Sequence, residues 1–161
     1  MTKESHVIKI AESALQSMRF TARRSAPIET GGVLAGVLAG EDLWITHALE
    51  LPTTDRSRSH YRLPGRRTRS TIRSLRTVDP RLGYLGDWHS HPHDVGPSPM
   101  DFATLALISV IRRGEPAPTI IVLREAVRPV AFRIHHGMLR EHELVLTGDL
   151  PEPPSEKGEV Q

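Results

Sequence analysis

The chain contains no cysteine, and that one absence removes disulfide bridges, thiolate metal ligands and cysteine-nucleophile chemistry together. Any metal ion must therefore sit on histidine, aspartate or glutamate. Aromatic residues are also scarce, at 4%, so the core has to be built from Val, Ile, Leu and Ala, with Trp44, Trp88 and Phe102 as its larger fillers. No apolar run approaches the roughly 20 residues that a membrane-crossing helix needs; the most apolar stretches are 31–40 and 104–111. The opening residues lack the charged and then apolar regions of a secretory signal. The expectation is a cytoplasmic protein that does not engage a membrane.

With 161 residues, 38% of them hydrophobic and 25% charged, the chain has the size and composition of one domain, expected over 1–147. From Gly148 onward the Pro, Glu, Gly and Lys content predicts a disordered tail over 148–161. Net charge is only +2, but Arg56, Arg58, Arg62, Arg66, Arg67, Arg69, Arg73 and Arg76 fall in one stretch without an acid among them. Such a patch can meet phosphates or an acidic protein face; the plainer reading is a solvated loop and helix face.

Periodicity gives a coarse element order. Val7 to Ile10 alternate as a strand does, and Ala11 to Arg24 place Ala14, Leu15, Met18 and Ala22 at helical spacing. The apolar run Val33 to Leu38 and the segment Leu43 to Leu51 predict a hairpin deep in a sheet, turning at Gly40. Pro52 to Gly65 carries no period and predicts a loop or insertion. A second helix is expected over Thr68 to Thr77, stopped by Asp79-Pro80, then a strand over Leu82 to Trp88. Ser98-Pro99-Met100-Asp101 combines an N-cap serine, a proline at the first helical position and an acid at the third, predicting a third helix to about Arg113, broken by Gly114 and Pro116. Thr119 to Leu123 and Val130 to His135 read as strands, and Met138 to Leu146 as one last element. Helices interspersed among strands favour an α/β layer architecture.

The chemistry concentrates in Gly86-Asp87-Trp88-His89-Ser90-His91-Pro92 and in Gly96-Pro97-Ser98-Pro99-Met100-Asp101. Side chains two apart on a strand point the same way, so His89 and His91 aim two imidazoles at one place. Catalytic zinc takes three protein ligands and leaves a fourth position open; Asp101, on the first turn of a helix whose start Ser98 fixes, is the natural third. Zinc would acidify water toward about 7. A general base is still needed, and Glu29, just before the Gly31-Gly32 pair that lets backbone approach closely, is the candidate to take a proton and pass it to a leaving amine. Ser98 is placed to donate its hydroxyl to an oxyanion.

Taken singly these residues are weak signals: a lone strand histidine is usually structural, and Ser98 with Asp101 can be no more than a capping box. Two same-side histidines, a placed acid and an upstream glutamate before a glycine pair form the stronger signal. His93 and Asp94 read as loop residues after Pro92, with His93 substrate-facing. Asp87 shares strand parity with His89 and is either a partner that orients an imidazole or a solvated residue.

Glu29, then His89-Ser90-His91-Pro92, then Ser98 and Asp101 resemble the pattern of the JAMM (JAB/MPN-domain) metallopeptidases, and the neighbourhoods Glu-Thr-Gly-Gly-Val-Leu-Ala-Gly and Tyr-Leu-Gly-Asp-Trp-His-Ser-His-Pro resemble its prokaryotic branch. The resemblance spans roughly residues 7–147. It implies a single MPN domain with a mixed β-sheet flanked by helices in a cytidine-deaminase-like layering. It also implies one zinc ion on His89, His91 and Asp101, Glu29 as acid/base and Ser98 as oxyanion donor. Six residues separate His91 from Ser98, where the family pattern has seven.

The resemblance further implies a peptidase or isopeptidase acting after the C-terminus of a ubiquitin-like protein, on precursors or conjugates. E1-like and E2-like enzymes would be encoded alongside, in a bacterial antiphage system. A sulfur-carrier-processing peptidase and a catalytically idle MPN scaffold are the alternatives. The Pro52 to Arg67 stretch falls where family members carry a substrate-contacting insertion, so Arg62 and Arg66 are expected to clamp the substrate tail. Nucleic acid is not an expected partner, because the arginines lack interleaved aromatics.

Overall fold

The computed structural model describes residues 7–39, 42–93, 95–111, 119–124, 128–135 and 137–151. Ile8–Ala11 is the first strand (β1), and Glu12–Ser25 is a helix (α1) with an acid in its first turn and Arg23 and Arg24 in its last, matching the helix dipole. Its buried stripe is Ala14, Leu15, Met18 and Thr21. Gly31–Ala39 (β2) and Asp42–Glu50 (β3) form the expected antiparallel hairpin; the turn at Gly40 lies outside the described residues. Gly65–Val78 (α2) and Gly83–His91 (β6) follow the insertion. Pro99–Ile111 is α3, Thr119–Arg124 is β7 and Val130–His135 is β8. The predicted breaks at Gly114 and Pro116 also lie outside the described residues.

Two sequence expectations are corrected. The insertion is not all loop, since Arg56–Ser57 (β4) and His60–Tyr61 (β5) pair as a minimal antiparallel hairpin. Met138 to Leu146 is not one element: Met138–His142 (β9) and Leu144–Thr147 (β10) are separate strands divided by Glu143. Past β10, Gly148 to Pro151 has no regular structure. It is tied down by a Ser13–Asp149 side-chain bond and by Arg81, which donates to the Pro151 carbonyl (2.6 Å). Residues 152–161 of the predicted tail lie outside the described residues.

The large sheet has the order β10-β1-β3-β2-β6-β7-β8-β9, with β1 parallel to both neighbours and β6 parallel to β7. Because β9 and β10 occupy opposite edges yet only Glu143 lies between them, the sheet must curl until its edges meet. Helix α1 fills the inside of that curl: Ala14, Leu15 and Met18 pack with Leu34, Ile45, Trp88, Ile121 and Leu123. On the other face, Phe102 and Leu105 of α3 pack on Ile120 and Phe132, the two phenyl rings meeting edge to face at 5.3 Å. The result is a mixed α/β sheet between helices. Trp88 is the largest fully buried side chain, and burying one such side chain stabilises by about 1.5–3 kcal/mol. Trp44, expected in the core, is only half-buried.

Candidate metal centre and active site

The site is built where β6 ends. A register shift opposite Leu34 and Ala35, together with Gly86 at φ 148°, sets the parity of everything that follows. A Cβ at Gly86 would stand 1.8 Å from the Thr119 carbonyl oxygen, so no other residue lets β6 and β7 approach this closely. Beyond this irregularity Trp88 faces α1, while Asp87 and His89 pair in register with Ile120 and Val122 on the face toward α3. Because of the shift, Tyr84 shares that face and its hydroxyl donates to Asp87 Oδ1 (2.7 Å). Asp87 thus holds a phenol, a partner that parity alone did not suggest.

His89, His91 and Asp101 converge as expected, their ligand atoms all within 4.8 Å of one another. His89 Nε2 lies 3.0 Å from His91 Nε2 and 3.0 Å from Asp101 Oδ1, and His91 Nε2 lies 3.5 Å from Asp101 Oδ2. Donors bonded at 2.0–2.1 Å to a tetrahedral zinc ion stand about 3.3 Å apart, so these spacings fit that ion. The tautomer fits as well. His91 Nδ1 donates to the Val95 carbonyl (3.1 Å), which leaves the Nε2 lone pair facing the centre. Asp101 reaches the cluster despite the shorter His91-to-Ser98 segment.

Ser98 and Asp101 also form a capping box. The Ser98 amide donates to Asp101 Oδ2 (2.6 Å), and Ser98 Oγ accepts from the Asp101 amide (3.2 Å). The bland reading of this pair is therefore realised, and it is compatible with chemistry: a hydroxyl that accepts from an amide keeps its own hydrogen to donate. The cap also aims Asp101, since one carboxylate oxygen is held by the Ser98 amide while the other meets His89.

Glu29 is buried, with Oε1 4.0 Å from His91 Nε2. Backbone on both sides holds it there. Its amide donates to the Ser57 carbonyl of β4 (2.9 Å), and the next amide, Thr30, donates to Ser90 Oγ (3.0 Å) while the Ser90 amide donates to the Thr30 carbonyl (2.8 Å). Ser90, the residue between the two histidines, is thus the staple joining the glutamate segment to the ligand strand.

Burial pushes the Glu29 carboxyl above its ordinary range, with His89 and His91 partly offsetting the effect. A carboxylate tuned upward suits a proton carrier near neutral pH. Burial works the same way on Asp101, but the bonds from His89 and His91 outweigh it and hold that carboxyl far below the usual range, so it stays ionised. Burial lowers His91, yet the Asp101 bond, the Val95 carbonyl and the Glu29 charge together raise it on balance. One buried pocket therefore holds two carboxyl groups shifted in opposite directions.

The three residues expected to meet substrate are all exposed. Arg62 makes an exposed ion pair with Asp55 (3.5 Å), Arg66 is exposed on the first turn of α2, and His93 is exposed beyond Pro92. Asp94 lies outside the described residues. Of the arginine stretch, Arg58, Arg62, Arg66, Arg67, Arg69, Arg73 and Arg76 are exposed. Tyr61 was missed. Its ring edge fills the space beside Gly31, where a Cβ would stand 2.8 Å from Tyr61 Cε1, and its hydroxyl donates to the Leu51 carbonyl (2.7 Å). Burial, together with the charges of Asp87 and Glu50, raises this phenol well above its usual value, so it remains a donor.

Residues 11–135 match the family described as prokaryotic homologues of the JAB domain. Over 126 residues the chain is 28% identical to a CD-NTase/cGAS isopeptidase of Escherichia coli, covering 77% of this chain and 80% of that protein. Its fold is similar to the solution structure of a protein from Desulfitobacterium hafniense, at a TM-score of 0.71 and 24% identity, covering 89% of this chain and 95% of the other.

Proposed function

The chain belongs to the prokaryotic JAB-domain family, and we propose that it is a zinc-dependent peptidase or isopeptidase that cuts the bond following the C-terminus of a ubiquitin-like protein. The observation that carries this reading is the joint placement of Glu29 Oε1 and the lone-pair nitrogen of His91, 4.0 Å apart, in a buried cluster with His89 and Asp101. His89, His91 and Asp101 would hold a zinc ion, which would supply Lewis acidity toward water and toward the scissile carbonyl. Glu29 takes the proton of the attacking water and delivers it to the departing amine nitrogen. The Ser98 hydroxyl donates to the carbonyl oxygen as charge develops there, a contribution of about 10² to 10³ in rate. The capping box keeps that hydroxyl and the Asp101 carboxylate in fixed relation.

Cleavage of an isopeptide bond is supported by the relative named an isopeptidase, and a ubiquitin-like protein is the substrate class we infer for this chain. A bacterial conjugation system with E1-like and E2-like enzymes, directed at phage, is the setting we infer for it. The hairpin β4–β5 is bonded to the Glu29 amide through Ser57, and we propose that a substrate tail is received beside it as an added strand, with the exposed Arg62 and Arg66 as contacts.

The test is metal analysis combined with hydrolysis of a ubiquitin-like protein fused through its C-terminal Gly-Gly to a reporter. We expect one zinc per chain, cleavage after Gly-Gly, and a fall of about 10² to 10⁴ in kcat for Glu29→Gln with zinc retained. A protein that binds zinc but is indifferent to Glu29→Gln would be a scaffold, and the proposal would be wrong.

A further inference from the structure

We propose that Tyr61 is a positioning residue for Glu29: it seats the β4–β5 hairpin so that the Ser57 carbonyl can grip the Glu29 amide. The inference deepens the peptidase reading above and rests on it for the role of Glu29. Its physical basis is the smallness of the hairpin. Its ladder has two pairs, Arg56 with Tyr61 and Ser57 with His60, extended by one bond from the Arg62 amide to the Asp55 carbonyl (3.1 Å), and even a longer isolated two-stranded hairpin is marginal in water. Its place must therefore come from its ties to the main sheet.

One tie is the bond from the Glu29 amide to the Ser57 carbonyl (2.9 Å). Tyr61 makes two more. Its ring occupies the hollow that Gly31 leaves, and its hydroxyl holds the Leu51 carbonyl (2.7 Å), while the Leu51 amide donates to the Gly31 carbonyl (3.0 Å). Gly31, Leu51 and Tyr61 thus close a small circuit two residues from Glu29. Ser57, Arg58, Ser59 and His60 are exposed, whereas Tyr61 is half-buried. Without the Tyr61 ring and hydroxyl, the short hairpin loses its packed contact with the sheet and the Ser57 carbonyl is free to drift. Glu29 would then sample positions away from His91. The ligands lie on β6 and α3, so zinc binding does not depend on this circuit.

Tyr61→Ala and Tyr61→Phe separate positioning from general structural damage, using amide hydrogen exchange, zinc stoichiometry and steady-state kinetics on the Gly-Gly reporter fusion. In Tyr61→Ala we expect the Glu29 amide to exchange about tenfold faster or more, with the Ile121 amide unchanged. Zinc stays at one per chain, kcat falls about tenfold, and KM changes by about twofold or less. Tyr61→Phe, which keeps the ring, should recover most of the loss. Unaltered Glu29 exchange in Tyr61→Ala, or loss of zinc along with activity, overturns the proposal. Should Tyr61→Ala not fold, Tyr61→Phe decides: loss of the Leu51 bond alone should speed Glu29 exchange by about threefold or more, and no change overturns it. If the unmodified protein cleaves nothing, the peptidase reading fails, while exchange and zinc content still judge the positioning claim.

Discussion

The two faces of strand β6 are buried to nearly the same degree, Trp88 at 1% and His89 at 7% exposure, yet they are opposite in character. Toward α1 the strand presents Trp88 to an apolar cluster that includes Met18, Leu34 and Ile121, with the indole Nε1 donating to the Leu49 carbonyl (3.4 Å). Toward α3 it presents Asp87, His89 and His91 to a phenol and two carboxylates. The first face gains free energy by leaving water. The second is costly to bury, and each of its polar groups needs a partner. The period of two residues lets one strand do both, so the apolar face holds in place a polar face that would not assemble by itself.

If that division of labour is real, substitutions on the two faces should have crossed effects. The largest is expected for His89→Ala: zinc content falls toward zero and hydrolysis drops by about 10³-fold or more. The metal-free protein should meanwhile keep its stability to within about 1 kcal/mol. Trp88→Ala should do the reverse, costing about 3–5 kcal/mol in chemical denaturation while the fraction that remains folded still takes up zinc. A His89→Ala protein that unfolds as readily as Trp88→Ala would collapse the distinction.

A finer test concerns the cost of the polar face. Burial raises the Glu29 carboxyl above its unfolded value, near 4.3, so the folded state prefers it protonated. As pH rises through the unfolded and then the folded pKa, the folded state has to ionise a group it holds unfavourably, and stability is lost across that window. Glu29→Gln removes the burden. The metal-free variant should melt higher than the unmodified protein above the folded pKa, with the gap closing as pH falls to about 4. Melting curves that coincide at every pH would show that Glu29 is accommodated without cost. A stabilised but inactive variant is the signature of a residue kept for chemistry.

What was legible in the sequence follows the same line. His89 and His91 could be assigned to one side because strand parity is a short-range property, and Ser98 with Asp101 because a helix start is written in four residues. The seating of Glu29 was not legible. Its amide is held by the Ser57 carbonyl, whose hairpin is tied in turn to the Leu51 carbonyl through Tyr61, and a carbonyl leaves no trace in residue identity. The hairpin that supplies Ser57 has two residues per strand, too few for a period to appear. Met138 to Leu146 misled for a different reason. Its apolar residues run on through Glu143, and only closure of the curled sheet, a property of the whole chain, sends its two halves to opposite edges.

The smallest expected effect lies at the margin of the site, where burial no longer decides anything. Arg62 is exposed and its pair with Asp55 spans 3.5 Å, an arrangement that solvent screens almost completely; Arg66 is exposed on α2. Reversing both, as Arg62→Glu with Arg66→Glu, should leave zinc content and melting temperature unchanged. If the two arginines receive a substrate tail, KM for the reporter fusion rises a few-fold, by roughly one unit of tenfold at most. That difference should shrink as salt is raised and the Debye length falls from about 10 Å toward 3 Å, whereas the effect of His89→Ala is indifferent to salt. An unchanged KM at low salt would return this stretch to the plainer reading of a solvated basic face, and the chemistry would then belong to the buried strand face alone.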